Sequence, residues 1–176
     1  MLADRLRPCG PVLDRARADD LLDSLGKTAA ETGWSGALAA ATDALRPVFG
    51  ASPYLASLAR RYPGQLGQVL TGQPQDVLAA ILTEAGQPET TGAPAAQRLR
   101  RAKADLHLLT ALCDLGGVWD LDQVTDALTR FADVAVAVAL AEVARKEVEA
   151  GRLRVQPGGG AGPIAGLFCI AMGKYG

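Results

Sequence analysis

Apolar residues recur at alternating steps of three and four along much of the chain, which is the spacing of an amphipathic helix. The pattern is strongest over residues 96–115 and 121–150. In the first stretch the apolar positions are Leu99, Ala102, Leu106, Leu109 and Cys113. In the second they are Leu121, Val124, Leu128, Phe131, Ala135 and Val138. The spacing therefore predicts two long helices, each with one buried face.

Helix boundary signals support this interpretation and add shorter helices. Ser52-Pro53 is a typical helix start, because serine caps free N–H groups and proline is tolerated at the first helical position. Pro63-Gly64 predicts the end of that helix, and Pro74 begins another. Asp120, with Gln123 three residues later, resembles a capping box at the start of the longest helix.

The remaining segments predict the domain organisation. Residues 1–50 are interpreted as helical, with one segment over 37–45 that ends before Pro47. Residues 86–95 have a loop composition, and 156–166 form a glycine-rich connection. We therefore expect a helical N-terminal region over 1–155, the connection over 156–166, and the beginning of a second domain over 167–176.

The last ten residues combine an apolar run with a glycine turn. Residues 167–172 are typical of a buried strand, and Gly173, Lys174 and Gly176 follow it. Such a turn presents backbone N–H groups to a phosphate, although an ordinary tight turn has the same sequence. It is not a Walker A loop, in which the lysine follows the second glycine of the motif. The predicted fold is thus mostly α, a helical bundle followed by the first strand of a truncated α/β domain.

Composition and charge narrow the classes of partner. The 176 residues are 49% hydrophobic, and their net charge is −1, which argues against a nucleic-acid or anionic-membrane partner. The longest apolar stretch, 134–141, is far shorter than the roughly 20 residues of a membrane-spanning helix. Three scattered cysteines and a single histidine make no zinc set. We expect a cytoplasmic protein with reduced thiols and no metal site of its own.

Several chemically capable residues also have plain structural interpretations. Asp120 and Asp122 form a D-x-D pair, but helix capping explains them better than metal binding. His107 is expected on a solvated face and Cys113 in the core. A basic cluster is either a solvated face or a contact for phosphate or an acidic partner; its members are Arg98, Arg100, Arg101 and Lys103.

Four blocks, taken in order, give the chain its resemblance to a known family. They are SPYL with RRYP at 52–63, LRRAK through ALCDLGGVW at 99–119, the run 121–140 with FAD at 131–133, and MGKYG at 172–176. The chain resembles the N-terminal part of bifunctional glutamine synthetase adenylyltransferase/adenylyl-removing enzymes. That resemblance implies a nucleotidyltransferase half that removes AMP from a tyrosine of glutamine synthetase by phosphorolysis.

The resemblance also implies what this chain lacks. In the family a segment with metal-binding carboxylates follows the glycine turn, and it is absent from these 176 residues. Only Gly173, Lys174 and Gly176 are carried over, as nucleotide-binding positions, and no catalytic residue is assigned. Mg²⁺ with ATP or phosphate, and the partners glutamine synthetase and a PII-type signal protein, are implied for the whole enzyme. We expect an inactive fragment with none of these cofactors bound; the alternative is a non-catalytic helical protein-interaction module.

Overall fold

Seven α-helices make up most of what the computed structural model describes, which is residues 1–87, 94–154 and 169–172. Within these ranges there is no strand. The helices are α1 (Arg15–Thr32), α2 (Ser35–Ala51), α3 (Pro53–Arg61), α4 (Pro63–Thr71), α5 (Pro74–Gly86), α6 (Ala95–Leu115) and α7 (Leu121–Glu149). The mostly α prediction is therefore confirmed for the described residues.

The core is a single cluster of mainly aliphatic side chains shared by the helices. The helix pair α1–α2 packs together at one end, and α5, α6 and α7 pack on one another, while α3 and α4 contact both groups. Phe49, Leu66 and Leu109 are fully buried in this cluster. Small residues such as Ala41 and Ala102 are buried beside them, which allows close approach of the helices.

The N-terminus is held in the core by backbone hydrogen bonds. The N–H of Leu2 donates to the Gly72 carbonyl (2.8 Å), and that of Ala3 donates to the Leu70 carbonyl (3.0 Å). Both side chains are buried. No apolar repeat in the first ten residues predicts this docking, because it depends on a surface made by α4.

The predicted helix starts are confirmed where a side chain provides the cap. Ser52 accepts a hydrogen bond from the Leu55 N–H (3.2 Å) at the start of α3. Asp120 accepts from the Gln123 N–H (2.8 Å), and the Gln123 side chain accepts from the Asp120 N–H (3.1 Å). This reciprocal pair satisfies two N–H groups that the helix leaves free.

The prediction that a helix ends before Pro47 is wrong. Helix α2 continues through Pro47 to Ala51. An internal proline costs about 3 kcal/mol or more, because it removes a hydrogen bond and crowds the preceding turn. The same helix carries Leu45, Val48 and Phe49, and all three side chains are buried in the core. Their burial offsets the cost of the proline.

The predicted apolar stripe of α7 holds only in part. Phe131 is buried, but Leu121 is 74% exposed and Leu128 is also exposed. The reason is that α7 packs mainly against α5 and α6, so only part of its surface has a neighbour. Spacing alone predicted the stripe but not the extent of its burial.

The predicted first strand does not form where the structure describes it. Residues 169–172 have no regular secondary structure, and Ile170 is 73% exposed. A strand is stable only when paired, and the described ranges contain no strand to pair with. The glycine-rich connection 156–166 and the turn residues Gly173, Lys174 and Gly176 lie outside the described residues. The proposed domain boundaries stay predictions.

Candidate functional site

A basic groove runs between α3 and α6 and has a cavity volume of about 850 Å³. Four exposed cationic side chains line it: Arg61 from α3, and Arg100, Arg101 and Lys103 from α6. The groove has no carboxylate among its lining residues. We call this surface the basic groove.

Helical spacing brings these side chains to one surface. On α6, Gln97, Arg101 and Ala104 are separated by four and three residues, so they share a face with the neighbouring cations. On α3, Tyr54, Leu58 and Arg61 follow the same spacing. The two faces meet because α3 and α6 pack against each other in the bundle.

The cations of the groove are held by neutral groups rather than by acids. The Arg61 guanidinium lies 5.3 Å from the ring centre of Tyr62. The Arg100 Nε donates to the Ala96 carbonyl (3.0 Å). No carboxylate lies within ion-pair distance of Arg61, Arg100, Arg101 or Lys103 among the residues that the structure describes. Their charge remains available to an anion from outside the chain.

A tyrosine–histidine pair lies at the edge of the groove. The Tyr54 hydroxyl is 2.6 Å from Nδ1 of His107, and the two rings meet edge-on with centres 5.8 Å apart. Burial, together with the nearby Lys103 charge, lowers the pKa of His107. Lowering the pKa favours the neutral imidazole; the tautomer with the proton on Nε2 accepts the Tyr54 hydroxyl hydrogen at Nδ1, and the other tautomer donates from Nδ1 to the hydroxyl oxygen. The expected solvated histidine is thus half-buried and hydrogen-bonded.

One predicted member of the basic cluster lies elsewhere. Arg98 is buried, and its Nη2 donates to the Gln87 carbonyl at the end of α5. It therefore does not line the groove. The sequence interpretation also missed the contribution of α3, because it did not count Arg61 among the basic cluster.

The other candidate residues have the structural roles expected of them. Asp120 caps α7, and Asp122 lies in its first turn. Cys113 is buried, and burial raises the pKa of its thiol to about 12. Gly173, Lys174 and Gly176 lie outside the described residues, so the phosphate-facing turn stays a prediction.

The residues that the structure describes contain neither a cluster of metal-binding side chains nor a membrane-spanning helix. No group of three or more His, Cys, Asp or Glu side chains in these ranges lies close enough together to hold a metal ion. Similarly, none of the described helices is both long and apolar enough to cross a membrane.

The described part of the chain is a helical bundle with a basic groove on its surface. Residues 42–176 match the family model for glutamate-ammonia ligase adenylyltransferase. The chain belongs to this family, which confirms the resemblance inferred from the four sequence blocks.

Individual relatives agree with the family match. The chain is 55% identical, over 99% of its length, to a bifunctional glutamine synthetase adenylyltransferase/adenylyl-removing enzyme of Caulobacter vibrioides. It is 44% identical over 76% of its length to an enzyme of the same description from Rhodopseudomonas palustris. The chain spans only 18% and 14% of the lengths of these two relatives. No solved structure matches.

Proposed function

We propose that this chain is the helical N-terminal part of the adenylyl-removing half of a bifunctional glutamine synthetase adenylyltransferase/adenylyl-removing enzyme. The observation that carries this proposal is the 55% identity to such an enzyme over 99% of the chain. In the whole enzyme this half acts in the cytoplasm on adenylylated glutamine synthetase, under the control of a PII-type signal protein.

The reaction of the adenylyl-removing half is phosphorolysis. Inorganic phosphate attacks the phosphorus of the adenylyl group, the bond to the tyrosine oxygen breaks, and that oxygen takes up a proton. Magnesium, with ATP or phosphate, belongs to the nucleotidyltransferase parts of the enzyme, where Gly173, Lys174 and Gly176 would face a phosphate. The described residues offer no carboxylate cluster for magnesium, so no step is assigned to them.

The role of the helical region is to bind the protein substrate. The basic groove supports this role, because its four cations have no carboxylate partner among the described residues and suit an acidic surface. The two relatives named above are glutamine synthetase adenylyltransferase/adenylyl-removing enzymes, and glutamine synthetase is a protein. Residues 1–176 alone therefore bind glutamine synthetase without removing its adenylyl group.

Binding and turnover are measured on the purified 176-residue polypeptide. Adenylylated glutamine synthetase is immobilised, and association is followed by biolayer interferometry at low and high salt. The double variant Arg61→Gln/Arg100→Gln should bind between about twofold and thirtyfold more weakly, from two exposed charge contacts of about 0.2–1 kcal/mol each. Arg15→Gln, at the start of α1 and remote from the groove, is the matched control.

The outcomes separate the proposal from its competitors. Phosphate-dependent formation of ADP from adenylylated glutamine synthetase by the polypeptide would refute the claim that it is inactive. Equal binding by the groove variant and the control would assign the contact to another surface. Absence of any binding to glutamine synthetase would contradict the substrate-binding role and leave a helical module for a different partner as the better hypothesis.

A further inference from the structure

A second cavity, of about 390 Å³, lies among α4, α5 and α6. Part of its wall is apolar, made by Val69, Val77 and Ile81. Three carboxylates also line it: Asp76 and Glu84 from α5, and Asp105 from α6. No lysine or arginine is among its lining residues. We call it the acidic cavity.

Asp105 is the unusual residue of this cavity. Only 7% of its surface is exposed, and its Oδ1 is buried without a hydrogen-bond partner. A buried carboxylate is normally paired, because leaving a charged group without hydrogen bonds is costly. Asp105 is nevertheless one of the residues that line the cavity.

The cation expected to neutralise Asp105 is engaged elsewhere. Arg101 precedes Asp105 by one helical turn, a spacing that favours an ion pair. With the Gln65 amide oriented so that its oxygen faces the guanidinium, that oxygen accepts from Arg101 Nε (3.1 Å) and Nη2 (2.6 Å). Arg101 is thereby directed to Gln65 and the basic groove, and its charge reaches Asp105 only at longer range.

The cavity therefore has the charge and shape of a site for a small cation with an apolar part. Asp76 and Glu84 add negative charge, and among the described residues no charged side chain other than these three carboxylates lines the cavity. The carboxylates are not grouped closely enough to hold a metal ion. An organic ammonium ion fits better, since it supplies N–H donors for the carboxylate and an alkyl stem for the apolar wall.

We propose that the acidic cavity binds a small organic ammonium ion. Its N–H groups donate to the Asp105 carboxylate, and its alkyl stem packs against Val69, Val77 and Ile81. This site is separate from the binding of glutamine synthetase and does not depend on it. A free amine and a lysine side chain of another polypeptide share this chemistry, and the probes below distinguish them.

The test uses the ¹⁵N-labelled 176-residue chain and amide NMR shifts. n-Butylammonium chloride is titrated at constant ionic strength, and 1-butanol serves as the neutral probe of similar size. We expect saturable shifts of amides in α4, α5 and α6, with at least tenfold weaker binding of 1-butanol. Nα-acetyl-L-lysine methylamide binding at least tenfold more tightly than n-butylammonium would identify a lysine side chain as the occupant, and equal or weaker binding would identify a free amine.

Variants decide whether Asp105 is responsible. Asp105→Asn should weaken n-butylammonium binding at least tenfold while the circular dichroism spectrum stays helical. Asp20→Asn, which removes an exposed carboxylate of α1, should leave the affinity unchanged. Equal affinity for the charged and neutral probes, an unchanged affinity of Asp105→Asn, or shifts spread over the exposed acids would each overturn the proposal.

Discussion

Replacing Asp105 by asparagine should stabilise the protein at neutral and alkaline pH. Burial is the main cause that raises the pKa of Asp105 from 3.8 to about 6; Arg101 opposes the rise and Glu84 adds to it. Because the pKa is higher in the folded state, the unfolded chain releases this proton first as the pH increases. The stability associated with the protonated carboxyl is therefore complete below pH 3.8 and is lost as the pH rises through about 6.

The size of the effect follows from the same two values. One pKa unit corresponds to about 1.4 kcal/mol, so a rise from 3.8 to about 6 corresponds to about 3 kcal/mol at most. Because the carboxylate borders an open cavity, solvent screening reduces this to about 1–2 kcal/mol. Asparagine has nearly the same shape and no charge, so the variant avoids the penalty at high pH.

The assay is urea unfolding of the wild type and Asp105→Asn at pH 4 and pH 8, followed by circular dichroism. The quantity of interest is the change with pH in the stability difference between the two proteins, which cancels any constant cost of the new amide. We expect the variant to gain about 1–2 kcal/mol relative to wild type between pH 4 and pH 8. The Asp20→Asn control should show no such change. A flat difference, or one of opposite sign, would refute the argument that Asp105 is a buried carboxylate without a partner.

Three further predictions follow from particular contacts. Removing the cap of α7 with Asp120→Ala should lower the free energy of unfolding by about 1 kcal/mol, and unchanged urea unfolding would contradict the capping role. Burial raises the pKa of the Cys113 thiol to about 12, so Cys113 should resist an aromatic disulfide reagent at pH 8 until the protein unfolds. The exposed Cys9 should react at once. Labelling of Cys113 in the folded chain would contradict its burial. In an NMR titration, His107 should have a pKa below 6.5. Lys103→Gln should raise this pKa but leave it below 6.5, because burial is the larger cause of the shift. A fall in the His107 pKa on this substitution would contradict the effect assigned to Lys103.

Local sequence signals predicted the helices wherever a nearby side chain decides the outcome. The spacing along 96–115 gave α6 to within one residue at its start, and Asp120 gave the start of α7. These signals succeed because a cap or an apolar repeat acts within one or two turns. Helix α4 was missed: Pro63 was interpreted only as the end of one helix, although it is also the first residue of the next.

The candidate sites were harder to predict, because each combines more than one helix. The sequence indicated the basic cluster on α6. Only the packing of the helices shows that Arg61 of α3 lines the same groove and that Arg98 is buried outside it. Nothing in the sequence marks Asp105 as unusual, because an acid one turn after Arg101 has the spacing of an ordinary ion pair. With the Gln65 amide oxygen facing Arg101, the hydrogen bonds of Arg101 to this α4 residue account for the absence of that pair.

The sequence by itself determined the family, the helical class and the main capping residues, because motifs, caps and apolar periodicity depend on residues that are close together in the chain. The tertiary structure alone decided the course of α2 through Pro47, the docking of Leu2 against α4, and the two differently charged cavities that α6 helps to line. The physical reason is that burial and charge pairing depend on which residues meet in space. Arg101 and Asp105 are one turn apart on α6, yet in the packed bundle they line different cavities.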